Sequence, residues 1–244
     1  MALLVPEPTN STSGLARIGG KKSELAYEAL KQEIVLRNYE PGKQMLEQTL
    51  ARQFECSQST VREALINLSK DGLVVRAGYN GTFVTDTSLH EAAAMVSMRL
   101  TIERRVARRL STLTETIDMA QVEQIFHAMD ASHIAGDLYR SSELDRKFHA
   151  HLCDMAGMSL LSPMLQRCAL HIHRYTFSNV EVPRDFFQES GVGAEHRALF
   201  KILCKGTAEE AEDAIVQHLA FVLQHWSPSL FEEVGADQFK PSVS

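Results

Sequence analysis

No stretch of this chain is apolar for long enough to span a bilayer, so an integral membrane helix is not expected. The amino terminus lacks a basic segment followed by an apolar core, which argues against a secretory signal. Cysteine is scarce. Cys56, Cys153, Cys168 and Cys204 are scattered and form no CxxC pair, so a disulfide framework or cysteine-rich metal knuckle is not indicated and a reducing cytoplasm fits. No repeat or low-complexity tract appears. A basic excess is missing as well: the net charge is −6 at pH 7. That deficit is uneven. Residues 1–86 hold ten Lys/Arg and ten Asp/Glu, while residues 87–244 hold fifteen and twenty-one. The first third is neutral and the rest carries all the excess acid.

What is present is a chain of 244 residues, 44% hydrophobic, long enough for two modest domains. Residues 47–65 are the most informative stretch. Leu50, Ala51 and Phe54 give a short helix one apolar face. Ser57 stands where the next helix needs its N-cap, and Val61, Ala64, Leu65 and Leu68 give that helix a buried face. Its other face shows Gln58, Ser59, Thr60 and Arg62, which suit the major groove of DNA. Gly72 ends the helix. Leu73–Val75 and Thr82–Val84 read as strands around an Ala77–Gly81 turn, and Leu25, Ala29, Leu30 and Ile34 read as a preceding amphipathic helix. Helix-turn-helix plus hairpin makes a winged helix over residues 21–86, after a flexible tail over 1–20.

From Ser88 to about residue 231 nearly everything reads as helix. Helices are predicted near 88–111, 115–135, 137–156, 159–178, 185–205 and 208–226, with breaks at Gly136, Gly157, Pro183 and Gly206. The expected fold is therefore mainly α: a winged helix-turn-helix, then an antiparallel bundle of about six helices, with 235–244 as a frayed tail.

Within the bundle, Asp145 and His149 lie one helical turn apart on a line continued by Leu152 and Ala156. His196 falls in the first turn of a later helix. His218 follows the inward line of Ala211, Ala214, Ile215 and Val222. Buried imidazoles and a carboxylate are costly unless paired or metal-bound. One Asp and three His suit Zn²⁺, Ni²⁺ or Mn²⁺. Periodicity alone leaves ligation of a divalent metal ion and satisfied core histidines equally open. Arg99 borders the apolar stripe of the first bundle helix, where it is placed either to fork a carboxylate or to pair with Glu103. His151 reads as solvent-facing, and at most one of His171 and His173 faces inward. His90, His127, His133 and His225 read as bland, and Arg104, Arg105, Arg108 and Arg109 as a solvated face.

The residues from Pro41-Gly42 through Met45, Glu47, Leu50-Ala51, Phe54, Ser57, Val61-Arg62-Glu63-Ala64-Leu65, Leu68, Gly72-Leu73, Gly81 and Phe83-Val84 resemble the DNA-binding domain of GntR-family bacterial regulators. Three positions depart from the family pattern. Glu55 stands where Gly is usual in the turn, Gln58 where Arg usually follows the N-cap, and Thr60 where Pro often precedes the Val. Gln58 cannot replace Arg at guanine, so an unusual operator is expected. The helical part resembles the FCD ligand-binding domain, in its smaller, six-helix branch. The resemblance implies a metal site at Asp145, His149, His196 and His218, with Arg99 as anchor for an acidic effector.

It also implies a transcription regulator, most often a repressor, and not an enzyme. Ser57, Gln58, Ser59, Thr60, Arg62, Asn80 and Gly81 would contact double-stranded DNA. A neutral domain binds DNA weakly alone, so a homodimer on a pseudo-palindromic operator is expected. A small organic acid would release it by shifting the placement of the two winged domains. Two other readings remain: a metal-dependent enzyme with Glu195 as its only candidate base, and a regulator whose metal is structural or is itself the signal.

Overall fold

The computed structural model describes residues 15–113, 119–179 and 192–240, with side chains from Lys22 onward. The chain divides into two compact units, Met1–Lys31 with Pro41–Thr85, and Gln32–Glu40 with Asp86–Ser244. No described helix is long and apolar enough to cross a membrane.

The first unit holds α1 (Leu15–Val35, its last turn belonging to the second unit), α2 (Glu47–Gln53), α3 (Gln58–Lys70) and an antiparallel hairpin of β1 (Val74–Arg76) and β2 (Thr82–Val84). Helix α1 begins inside the stretch expected to be a flexible tail; residues 15–20 are helical, and 1–14 lie outside the described residues. Its buried line is Ala26, Leu30 and Ile34, whereas Leu25 is 61% exposed. The apolar face therefore sits one position further along than Leu25 implied, because spacings of four hold Ala26, Leu30 and Ile34 on one side of the helix. Within the first unit, Ala26, Leu30, Leu50, Ala51, Val61, Ala64, Leu65, Leu68, Leu73 and Val84 are buried. Ser57 caps α3, its Oγ accepting from the Thr60 amide at 3.1 Å. Glu55 adopts a φ of 47°, the left-handed conformation that the missing turn glycine required. The segment before α2 closes on the hairpin: the Gly42 amide donates to Val84 and the Met45 amide to Thr82, each at 2.8 Å.

The second unit is the helical bundle. It contains α4 (Leu89–Ser111), α5 (Met119–Ile134), α6 (Leu138–Met155), α7 (Ser162–Ser178), α8 (Val192–Lys205), α9 (Ala208–Trp226) and a short α10 (Pro228–Val234). The six long helices stand where the pattern put them. The predicted starts near 115 and 185 fall on or border residues 114–118 and 180–191, which lie outside the described residues. Residues 159–161 form a separate 3₁₀ turn ahead of α7, whose first turn carries Pro163. Capping boxes Ser88/Glu91 and Thr207/Glu210 start α4 and α9.

Helix α4 is the central element, packing against α6, α7, α8, α9 and α10. Phe126, Phe148 and Phe200 meet with ring centroids 5.5–6.2 Å apart between α5, α6 and α8. Gly193 lets α8 approach α5 closely; a β-carbon there would sit 2.8 Å from the Phe126 carbonyl oxygen. The expectation of a frayed end from Gly235 does not hold as far as Lys240. Phe239 is buried and stacks on Phe231 at 4.9 Å, and Arg104 donates to the carbonyls of Gln238 and Lys240. Apolar burial and a guanidinium clamp fasten this segment; residues 241–244 lie outside the described residues.

Candidate functional site

Asp145 and His149 project from α6, His196 from α8 and His218 from α9, and one ligand atom from each lies within 4.8 Å of all the others. Their rings pack closely, His196 on His218 at 4.9 Å and His149 on His218 at 5.6 Å. Phe148 walls off one side, edge-on to His149 and His196 at 5.2 and 5.1 Å. The charge states follow from these contacts. Burial disfavours a charged His149, but Glu103 and Asp145 outweigh it and hold its pKa up to about 9. Burial, with His196 and His149 beside it, pushes His218 well below the ordinary histidine range. Burial raises Asp145, yet His149 and Arg99 outweigh it and hold the carboxyl well below its usual range. The cluster thus offers a carboxylate and a neutral His218 side by side.

These residues fit a metal ion on structural grounds. His196 Nδ1 lies 2.8 Å from the Val192 carbonyl and must donate to it, which leaves the lone pair of a neutral ring on Nε2. That Nε2 faces Asp145 Oδ1 at 3.2 Å. Two acceptors at that distance need a proton or a cation between them. His149 Nε2 is buried 3.4 Å from the same oxygen, without a hydrogen bond. Behind it, Nδ1 lies 2.9 Å from Glu103 Oε1, the outer carboxylate that typically orients a metal-binding imidazole.

Arg99 is buried on α4. Its Nε donates to Glu103 at 3.0 Å and its Nη2 lies 3.6 Å from Asp145 Oδ2. The ion pair with Glu103 and a position beside the Asp145 carboxylate therefore coexist. Arg99, Asp145, His196 and His218 also line a cavity of about 140 Å³ between α4 and α6–α9.

The α3 surface shows a different arrangement. Arg62 is half exposed and forks Glu47 of α2, Nε to Oε1 at 3.0 Å and Nη2 to Oε2 at 2.7 Å. Ser57 is engaged as a cap and also touches the Ser59 and Thr60 hydroxyls at 2.7 and 2.8 Å. Gln58, Ser59 and Thr60 lie in the first turn of α3. Asn80 and Gly81 close the hairpin turn. Gly81 has a φ of 104° and lies against Gln44, whose side-chain nitrogen donates to the Asn80 carbonyl at 3.3 Å.

The profile of the "Bacterial regulatory proteins, gntR family" matches residues 22–84, and that of the FCD domain matches residues 94–221. The chain belongs to the GntR family. It is 27% identical over 196 residues to the HTH-type transcriptional repressor RspR of Escherichia coli K12, covering 79% of this chain and 83% of that one. The galactonate operon transcriptional repressor of the same organism is 23% identical over 228 residues, covering 82% and 94%. Among solved structures, a GntR regulator from Rhodococcus sp. RHA1 matches with a TM-score of 0.64 at 20% identity, over 89% of this chain and 99% of that one. E. coli McbR/YncC matches at 0.67 and 16%, over 87% and 98%. These structures share the fold. The protein is a DNA-binding transcription regulator of the FCD type, which sets the metal-dependent enzyme aside.

Some residues of this GntR regulator's site escaped the sequence reading. At most one of His171 and His173 was expected to face inward, and His173 lines the cavity with Nε2 3.3 Å from Asp145 Oδ2. His171, its neighbour but one, is buried too and lies 2.9 Å from the Thr87 hydroxyl. Both point inward because α7 is packed on more than one side, against α4 and α6. Glu103 entered only as a partner for Arg99, yet it joins Arg99 to His149; its i+4 spacing from Arg99 was the available signal. Arg104 and Arg108 are not a solvated face. They converge on Glu212 of α9, a buried carboxylate, at 3.0 and 2.9 Å.

Proposed function

We propose that this regulator acts as a homodimeric repressor on a pseudo-palindromic operator and is released by a small carboxylate bound beside a divalent metal ion in its helical domain. The observation that carries the reading is the gathering of Asp145, His149, His196 and His218 around one point, with the Arg99 guanidinium at the same cavity. A bound Zn²⁺, Ni²⁺ or Mn²⁺ would supply a fixed positive charge with open coordination positions. The four side chains would hold it, and Glu103 and the Val192 carbonyl would orient two of the imidazoles. Arg99 would hold the second oxygen of an incoming carboxylate through its guanidinium fork. A carboxylate can release DNA only by binding one arrangement of the dimer more tightly than the other.

On the DNA side, Gln58, Ser59, Thr60 and Arg62 would enter the major groove, with Ser57, Asn80 and Gly81 at the backbone. The Arg62–Glu47 pair is solvent-exposed, so it holds Arg62 in place at little cost to exchange. RspR and the galactonate operon protein, both repressors, support the sign of regulation. The test is selection of genomic DNA fragments by the purified protein at physiological salt, followed by operator titration with Zn²⁺ and a carboxylate panel. Recovery of one short pseudo-palindrome, released by a carboxylate only in metal-loaded protein, is expected. In His149→Ala with His218→Ala, elemental analysis should find no metal and operator release should be lost. Stoichiometric metal in that variant removes the ligand set. Failure to recover any motif removes the operator reading.

A further inference from the structure

The three helices that bear the proposed ligands, α6, α8 and α9, and α7, which bears His173, share an orientation of chemistry that a metal and a carboxylate do not explain. Leu138 lies seven residues before Asp145 on α6, and Val192 four before His196 on α8. Phe177 lies four after His173 on α7, and Val222 and Trp226 four and eight after His218 on α9. All five line the same cavity as the ligands. At 1.5 Å rise per residue they stand roughly 6–12 Å along the helix axes from the polar cluster. With neighbouring helices antiparallel, these steps run the same way in space. One end of the cavity is therefore ionic and the other apolar.

Of the hydroxyls that line the cavity, those of Ser141 and Ser142 are already engaged, which leaves Thr176. Ser142 Oγ donates to the Tyr139 carbonyl at 2.8 Å, and Ser141 Oγ lies 2.9 Å from Ser132 Oγ. A ligand bearing several hydroxyls would strand them against Leu138, Val222 and Phe177, at about 5- to 100-fold in affinity for each unsatisfied group.

We propose that the effector is a monocarboxylate with a compact apolar body, one aromatic ring or a short branched chain, and not a sugar acid or a tricarboxylate. The inference rests on the carboxylate–metal reading above. It separates this regulator from its relative named for the galactonate operon.

Trp226 is the only tryptophan of the chain and lines the cavity, so its fluorescence reports occupancy directly. The Zn²⁺-saturated full-length protein is titrated with acetate, phenylacetate, 3-methylbutanoate, galactonate and citrate, followed by calorimetry and by Trp226 emission. Phenylacetate or 3-methylbutanoate should bind at least about 30-fold tighter than galactonate or citrate and change the emission. Val222→Thr, of similar volume but with a hydroxyl in place of a methyl, should reduce that preference about tenfold. Galactonate or citrate binding as tightly as the apolar acids overturns this inference and leaves the carboxylate site standing. Binding seen by heat without a change in Trp226 emission places the ligand elsewhere and also overturns it. No binding by any of the five overturns both readings.

Discussion

Glu103 provides the sharpest test of how the ionic end is held. It is buried, and one of its oxygens faces both Arg99 Nε at 3.0 Å and His149 Nδ1 at 2.9 Å. Glu103→Gln keeps the shape and removes the charge. Breaking a buried pair by removing one partner costs about 3–5 kcal/mol. Arg99 keeps a second carboxylate, Asp145, at 3.6 Å, so the lower end, about 3 kcal/mol, is expected. For a helical unit of this size that lowers the thermal midpoint by roughly 6–12 °C. The loss should appear in chelator-treated protein, where no metal compensates. The same substitution turns an orienting carboxylate into a weaker acceptor behind His149, which should weaken metal binding about 10- to 100-fold. Competition with a chromophoric chelator measures that directly, and differential scanning calorimetry measures the midpoint. Metal affinity within a factor of two of the wild type, with an unshifted midpoint, would refute the role of Glu103 as the link between Arg99 and the ligand set.

Arg62→Ala should weaken operator binding by at least about tenfold per half-site, given the roughly 1–3 kcal/mol of a good side-chain contact to a base, while leaving metal binding intact; fluorescence anisotropy with labelled operator reads it, and unchanged affinity would remove Arg62 from the DNA face. Glu55→Gly should stabilise the winged domain by about 1 kcal/mol, because its φ of 47° suits glycine, and a urea midpoint that falls would contradict this. Gly193→Ala should destabilise the bundle by about 1–3 kcal/mol, since a β-carbon meets the Phe126 carbonyl at 2.8 Å, and should disturb His196 three residues on; a Co²⁺ spectrum identical to that of the unsubstituted protein would show that α8 does not move.

The elements of both domains were legible because their signals are local. Ser57 caps its helix as its position required, and the 3.6-residue period placed the six long bundle helices. The left-handed strain at Glu55 could be read from a missing glycine alone. Asp145, His149, His196 and His218 were legible as inward-facing, and the family resemblance joined them; periodicity by itself left core histidines as an equal alternative.

Other assignments required the assembled chain. A periodic pattern reports which face of a helix is buried but not what lies opposite. It could not distinguish His173, aimed at Asp145, from His171, aimed at Thr87, because α7 has neighbours on two sides. It read Arg104 and Arg108 as solvated because their partner, Glu212, lies more than a hundred residues away. It marked the end of the chain as frayed because one phenylalanine, Phe239, signals nothing until Phe231 is beneath it. Sequence by itself determined the helices, the hairpin and the kinds of side chain turned inward. Tertiary structure decided which of those side chains meet, and so placed an ionic cluster and an apolar wall in a single cavity. Such meetings depend on the packing of helices distant in sequence, which no local periodicity encodes.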